Sequence, residues 1–341
     1  MKHKSKKTQK KSLMQELLSR YGETIIWSFK DSSPFRDEVE TLATDSMALN
    51  WSIAGTGFPR GRLTELYGPE SSGKTTICYH VIACCQRAGK AAAFVDVENS
   101  LDPVYASRCG VDVKNLIIAQ PDYGEQALSI VEDLIHDGRP EVIVLDSVAQ
   151  LSPKAEIEGD LGDVHMGLQA RMITQSMRRL AGMMKLSRAA VIFTNQVRAK
   201  IGGYGFEDTP GGRSLRHHCS VIARVSRSEK IIMKGKEIGY IASVDVKKNK
   251  IVSPFRKVQF PILYGQGLET RLELVNLALK AGVVSKRGSH YYLGKKKRSL
   301  GSGWLSAYSF LSSPKIEGKV KESILRYLDN QTVIFGENSE N

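Results

Sequence analysis

No run of eighteen apolar residues occurs anywhere in the 341-residue chain, so no segment has the length needed to cross a bilayer as a helix. The N-terminus also lacks the apolar core and small-residue cleavage site of an export signal, and the expectation is a cytoplasmic protein without a membrane partner. Cysteine is scarce. The five residues Cys78, Cys84, Cys85, Cys109 and Cys219 are odd in number and show no C-x-x-C spacing, which argues against a disulfide framework and a zinc site and leaves small core or surface thiols. No internal repeat is present, which removes solenoids and arrays. Acid is missing from two segments: residues 1–11 hold six lysines, residues 285–298 hold six basic side chains, and together they account for nearly all of the formal charge of +13. The first reads as a basic arm and the second as a loop or hairpin edge. Both could recruit nucleic acid by neutralising phosphates, with a solvated charge run as the alternative.

What is there is ordinary globular material, 41% hydrophobic and 25% charged, enough for one sizeable core and a smaller appendage. Leu13, Met14, Leu17 and Leu18 recur at helical spacing before Gly22, predicting a short amphipathic helix that needs a surface to cover. Apolar runs at 63–67, 91–95, 141–145 and 190–194 alternate with helical stretches such as 75–87 and 166–186. Nearly continuous apolar strands separated by helices predict a parallel sheet covered on both faces. After residue 220 the pattern turns to alternating strands, including 240–246 and 257–263, and a domain boundary is expected near Thr270.

Gly68-Pro69-Glu70-Ser71-Ser72-Gly73-Lys74-Thr75 fits G-x-x-x-x-G-K-[ST] between an apolar strand and a helix. In that context its backbone N–H groups wrap phosphates, Lys74 offers a point charge to the terminal phosphates, and Thr75 can ligate Mg²⁺. Asp146, at the end of the apolar run 142–145, is placed to hold the metal through a water. Asp96 and Glu98 follow the next strand, and Glu98 is chosen as the base that polarises an attacking water, with Asp96 competing and a capping or salt-bridge role open to either. His165, His217 and His218 have no companion ligands at suitable spacing, so no metal besides Mg²⁺ is expected.

The longer sequence pattern resembles the bacterial RecA family. Gly68 to Thr76, the stretch 101–105, Gln120-Pro121-Asp122, Gly124-Glu125-Gln126-Ala127, the run 153–159, His165-Met166-Gly167-Leu168, Asn195-Gln196 and Lys248-Asn249-Lys250 occur in the family's order, across about residues 12–327. The resemblance implies an α/β fold: a RecA-like phosphate-loop NTPase core with a central, mostly parallel sheet, a short N-terminal helical segment and a small α+β C-terminal domain. It implies ATP and Mg²⁺ as cofactors, with Glu98, Lys74 and Gln196 as the catalytic set. Glu98 matches the family's catalytic glutamate, and Gln196 its sensor of the γ-phosphate. Asp102 and Tyr105 match adenine contacts, and Thr76 and Tyr264 join the nucleotide set. Lys248 and Lys250 match lysines reaching an ATP on the adjacent subunit, which makes hydrolysis depend on assembly.

Two loops, about 156–167 and 198–212, would line a DNA channel by this resemblance. Met166 and Ile201 match side chains that separate base triplets. Arg171, Arg178, Arg198, Gly211 and Gly212 match phosphate contacts, which hold a backbone without reading sequence. The implied layout is a basic arm (1–11), an N-terminal helix and linker for subunit packing (12–45), an ATPase core (46–269), a small C-terminal DNA-gateway domain (270–330) and a tail (331–341).

The function so implied is a DNA-dependent ATPase and strand-exchange protein. It would form ATP-bound filaments of itself on single-stranded DNA, pair them with homologous duplex, and trigger self-cleavage of a LexA-type repressor in the DNA-damage response. The competing readings are a RecA-fold repair ATPase, such as a hexameric helicase or RadA-like protein, and a regulatory paralogue. Departures from the family pattern include Arg213, His217, His218 and Ile222 at an inter-subunit contact, Asn50 in place of a frequent aspartate, and a tail whose only acids are Glu337 and Glu340. Fewer tail acids predict tighter DNA binding.

Overall fold

The computed structural model describes residues 13–22, 39–160, 167–197, 209–294 and 298–333, in two compact units, Met1–Glu40 and Thr41–Asn341. In the first unit, α1 (Leu13–Tyr21) ends at Gly22, whose φ of +83° suits glycine and whose N–H donates to Leu18 O at 2.9 Å. The predicted helix is therefore present.

The second unit opens with β1 (Thr41–Leu42), α2 (Met47–Ala54) and β2 (Phe58–Pro59), the two strands pairing antiparallel. Ser46 starts α2 as its N-cap, accepting from Leu49 N. Asn50 uses both ends of its amide: Oδ1 accepts from Thr44 N at 2.7 Å and from Thr44 Oγ1, while Nδ2 donates to Thr44 O at 2.8 Å. An ionised aspartate at this position has no hydrogen to donate to that carbonyl.

Alternation then sets in, as the apolar runs predict. The chain passes through β3 (Arg62–Gly68), α3 (Lys74–Arg87), β4 (Ala91–Asp96), α4 (Pro103–Arg108), β5 (Ile117–Ala119), α5 (Gly124–Asp137), β6 (Pro140–Asp146), α6 (Lys154–Glu158), α7 (Leu168–Met183), β7 (Ala190–Gln196) and α8 (Gly212–His218). A long hairpin follows, β8 (Val221–Met233) and β9 (Lys236–Asn249), then β10 (Lys257–Leu263) and β11 (Gly267–Leu268). The nine-stranded sheet runs β11-β10-β9-β8-β3-β7-β6-β4-β5. Strands β8 to β5 in this order are parallel to their neighbours, and β9, β10 and β11 extend the sheet antiparallel.

Side chains alternate between the two faces of this sheet with period two. Phe94, Val142, Val144 and Ile192 point into one core with α2 and α3, whereas Val95, Ile143, Leu145 and Phe193 point into the other with α5 and α7. Both faces are buried, which is why these strands read as unbroken apolar runs. The methionines of α7 also serve packing, since Met172 and Met177 are buried in the second core. Helix α7 is shorter than its apolar pattern suggested, beginning after Gly167 (φ +77°) and ending at Met183, with Leu186 beyond it exposed.

The C-terminal portion comprises α9 (Thr270–Lys280), a three-stranded sheet of β12 (Val284–Arg287), β13 (His290–Leu293) and β14 (Arg298–Ser302), then α10 (Trp304–Leu311) and α11 (Glu317–Val333). Its apolar side chains, Val275 and Ile324 among them, continue the first core. Polar ties reinforce the seam. Glu273 of α9 accepts from Ser46 Oγ at 2.8 Å and Ala48 N at 2.9 Å, and Trp51 Nε1 donates to Asp329 at 2.7 Å. Among the described residues, no helix is long and apolar enough to cross a membrane.

Candidate active site

Four neighbouring parallel strands, β3, β7, β6 and β4, end at the same edge of the sheet, and each delivers one candidate group there. Strand β3 runs into the phosphate loop, β7 ends at Gln196, β6 at Asp146, and β4 leads to Glu98. Convergence at the carboxyl ends of parallel strands follows from the parallel pairing itself and leaves a crevice for a ligand.

Glycine is required twice in the loop. A Cβ on Gly68 would lie 2.0 Å from Val225 O on the adjacent strand, and Gly73, at φ +101°, opens α3 from the left-handed region. The N–H groups at the start of α3 have no helical acceptors and suit an anion. Lys74 is buried, and its Nζ donates to Gly68 O at 3.1 Å and Pro69 O at 2.8 Å. Burial lowers its pKa, opposed by the charges of Asp146 and Glu98.

Asp146 is buried and accepts from Thr75 Oγ1 at 2.6 Å and from Thr194 Oγ1. Desolvation raises its pKa, and those two hydrogen bonds oppose the rise. The carboxylate and hydroxyl form a hard oxygen pair fit for Mg²⁺, which takes one or two carboxylates and fills its remaining positions with phosphate oxygens and water. No group of three or more His, Cys, Asp or Glu side chains that could hold an ion assembles among the described residues.

Asp96 and Glu98 separate clearly. Asp96 is fully buried and accepts from Ser100 N at 3.1 Å, Leu101 N at 3.2 Å and Gln120 Nε2 at 3.1 Å, so it braces the loop after β4. Glu98 is half-buried and faces the crevice end of β7, accepting from Gln196 Nε2 at 3.3 Å and from Ser147 Oγ. Backbone bonds from Val97 N and Glu98 N to Asp146 O hold it there, at 2.8 and 3.3 Å.

Away from these acids, one cleft of about 560 Å³ gathers Ser71, Ser72, Gly73, Lys74, Thr75 and Thr76 with Asp102, Tyr105 and Tyr264. Asp102 caps α4 by accepting from Val104 N and Tyr105 N, and Tyr105 Oη shares a 2.8 Å hydrogen bond with Thr76 Oγ1. Arg227 and Tyr240 also line it, the guanidinium lying 4.1 Å from the Tyr240 ring centroid. Glu70 is exposed beside Pro69 at the loop's outer turn. Sequence reasoning missed Ser147, Thr194, Arg227 and Tyr240. Ser147 and Thr194 adjoin recognised positions, but Arg227 and Tyr240 come from the β8–β9 hairpin, where spacing carries no signal.

Lys248 and Lys250 lie elsewhere. Lys248 pairs in register with Ile222, which pairs with Glu65, and Lys250 N donates to Ser220 O. Ser220 N in turn reaches Leu63 O, about 17 Å along the strand from Gly68 at ~3.3 Å per residue. Lys248 Nζ instead donates to Arg216 O at 2.5 Å and His217 O at 3.0 Å at the end of α8.

Of the DNA candidates, Arg171 and Arg178 are exposed on α7, two turns apart and on one face. Gly211 (φ +91°) and Gly212 (φ +66°) begin α8 against Ile173 and Ala170 of α7. Met166, Arg198 and Ile201 lie outside the described residues.

A phosphate loop opening α3, with an acid, a hydroxyl and a second carboxylate at adjoining strand ends, defines a phosphate-loop nucleotide-binding architecture. Comparison with known proteins narrows the class. The family model for the RecA N-terminal domain matches residues 8–269. The chain is 45% identical over 327 residues to Protein RecA of Thermotoga maritima, covering 93% of this chain and 91% of that one. It is 45% identical over 304 residues to Protein RecA of Thermus aquaticus, covering 88% and 89%. The chain belongs to the bacterial RecA family, and with it to the proteins of DNA recombination and repair.

Proposed function

We propose that this chain is a DNA-dependent ATPase that assembles on single-stranded DNA as a filament of its own copies, pairs that strand with homologous duplex and exchanges strands. The observation carrying this reading is the meeting of Glu98 with Gln196 at the crevice, since Gln196 begins the segment that leads to the second candidate DNA loop. In the proposed reaction the phosphate-loop N–H groups and Lys74 hold the phosphates, Asp102, Tyr105 and Tyr264 hold the base, and Glu98 orients the attacking water. Thr75 and Asp146 would hold Mg²⁺, which supplies charge neutralisation at the transferring phosphoryl group. Gln196 reports the γ-phosphate to the loop.

The position of Lys248 and Lys250 supports completion of the site by a neighbouring copy. On this reading both lysines act on the adjacent subunit's nucleotide, and residues 12–45 serve subunit packing around the ATPase core of residues 46–269. DNA would lie along Arg171, Arg178, Gly211 and Gly212, with Met166, Arg198 and Ile201 completing the channel and residues 270–330 guiding duplex to it. Self-cleavage of a LexA-type repressor and a cytoplasmic location belong to the same reading.

The test is ATP hydrolysis with and without single-stranded DNA across a salt series, for the parent chain and Glu98→Gln. Strong stimulation by DNA, abolished in the variant while ATP binding persists, is expected. Hydrolysis indifferent to DNA would refute the reading.

A further inference from the structure

Glu65 stands in the middle of β3, fully buried, with no part in the phosphate chemistry three residues further on. One carboxylate oxygen accepts from Asn195 Nδ2 at 2.9 Å; the other makes no hydrogen bond among the described residues. Arg216 Nε is 3.6 Å from that second oxygen, inside ion-pair range and outside hydrogen-bond range. The guanidinium is incomplete as well. It stacks 4.7 Å from the Tyr67 ring centroid, while its Nε and one terminal nitrogen make no hydrogen bond among the described residues. Burial accordingly raises the Glu65 pKa, with Asn195 and Arg216 opposing. A buried carboxylate and a half-buried guanidinium held just short of hydrogen-bond contact forgo free energy that a sub-ångström approach would recover.

What surrounds the pair gives the gap a consequence. Asn195 also donates to Pro210 O at 3.0 Å, where the segment after β7 returns to α8, and its Oδ1 accepts from Gln196 N at 3.0 Å. Gln196 reaches Glu98. Arg216 belongs to α8, whose terminal carbonyls occupy Lys248 Nζ. A path of polar contacts, interrupted only at the Arg216–Glu65 gap, thus runs from the Lys248 end of α8 through Arg216, Glu65 and Asn195 to Gln196 and Glu98.

We propose that Glu65 is a positioning residue in a two-state contact: the Arg216–Glu65 pair stands open in the isolated chain and closes when α8 moves. Closure draws on Asn195 and re-aims the backbone of Gln196 toward Glu98. Lys248 sets the moment of closure, because α8 is freed when the ammonium leaves its two carbonyls. This rests on the DNA-dependent ATPase reading and adds the side chains that transmit the dependence. A physical path becomes a coupling only through an element that both sites bias; the open pair is that element.

Glu65→Gln keeps the shape and the acceptor for Asn195, removes the buried charge, and turns a donor-bearing amide toward Arg216. The measurements are the ratio of ATPase kcat with and without single-stranded DNA, the Kd for MgADP and the Tm, for Glu65→Gln, Arg216→Gln and the double variant. The expected result is a DNA-stimulation ratio lowered roughly fivefold or more in each single variant, no further loss in the double, and parental ADP affinity and Tm. Losses that multiply in the double variant, or that track a fall in Tm or ADP affinity, would overturn the relay. A stimulated parent whose Glu65→Gln variant responds equally overturns the relay alone, whereas an unstimulated parent overturns the functional reading and the relay with it.

Discussion

Glu273 joins α9 to the N-terminus of α2 and should make this joint weaken as pH rises. The carboxyl is buried, and desolvation raises its pKa from 4.5 to about 7 against the hydrogen bonds from Ala48 N and Ser46 Oγ. Between these two values the folded chain keeps a proton that the unfolded chain releases. Stability therefore falls as pH climbs through that window and levels off above pH 7. At about 1.4 kcal/mol per pKa unit, the full penalty is roughly 3 kcal/mol. Glu273→Gln retains an oxygen for Ser46 and Ala48 but cannot ionise. In urea unfolding at several pH values, the variant should match the parent within about 1 kcal/mol near pH 5 and exceed it by roughly 2–3 kcal/mol at pH 8. Other titrating groups are common to both proteins and cancel in the difference. A stability difference that stays constant with pH would refute the argument, and a variant less stable at pH 8 would show that the carboxylate is stabilised by its donors more than burial penalises it.

Further outcomes follow from packing and charge. A Cβ on Gly267 would stand 2.4 Å from His80 Nε2 at a backbone φ of +87°, so Gly267→Ala should lower stability by about 2 kcal/mol or more in thermal unfolding. Trp51→Phe removes the indole N–H that Asp329 accepts and weakens the stack in which Arg256 lies 4.3 Å from the ring centroid, a loss of about 1–3 kcal/mol by denaturant titration. If Arg171 and Arg178 contact phosphate, changing each to Ala should reduce the slope of log K for single-stranded DNA against log salt by about 0.7. An unchanged slope would place the DNA elsewhere. Thr75→Val deletes the hydroxyl partner of Asp146 and should raise the Mg²⁺ concentration needed for half-maximal hydrolysis, read by metal titration at saturating ATP.

Much of the candidate site could be read along the chain because its chemistry is local. Eight consecutive residues set the phosphate loop, and the apolar runs ahead of Asp146 and Gln196 imply parallel strands whose ends adjoin. Glu98 and Asp96 were both visible, but two residues apart on one strand end they looked alike; only the folded chain commits Asp96 to Ser100, Leu101 and Gln120 and leaves Glu98 with Gln196 and Ser147. Arg227 joined the cleft from β8 and Tyr240 from β9, the antiparallel strand appended beyond it, a placement decided by strand order rather than by local pattern. Glu65 lay inside an apolar run with no sign that its partners would be Asn195 and Arg216. Spacing and side-chain chemistry determined the groups that the chain possesses and the strands that carry them. Tertiary structure decided which groups meet, because strand register and the packing of α8 bring together residues more than a hundred positions apart.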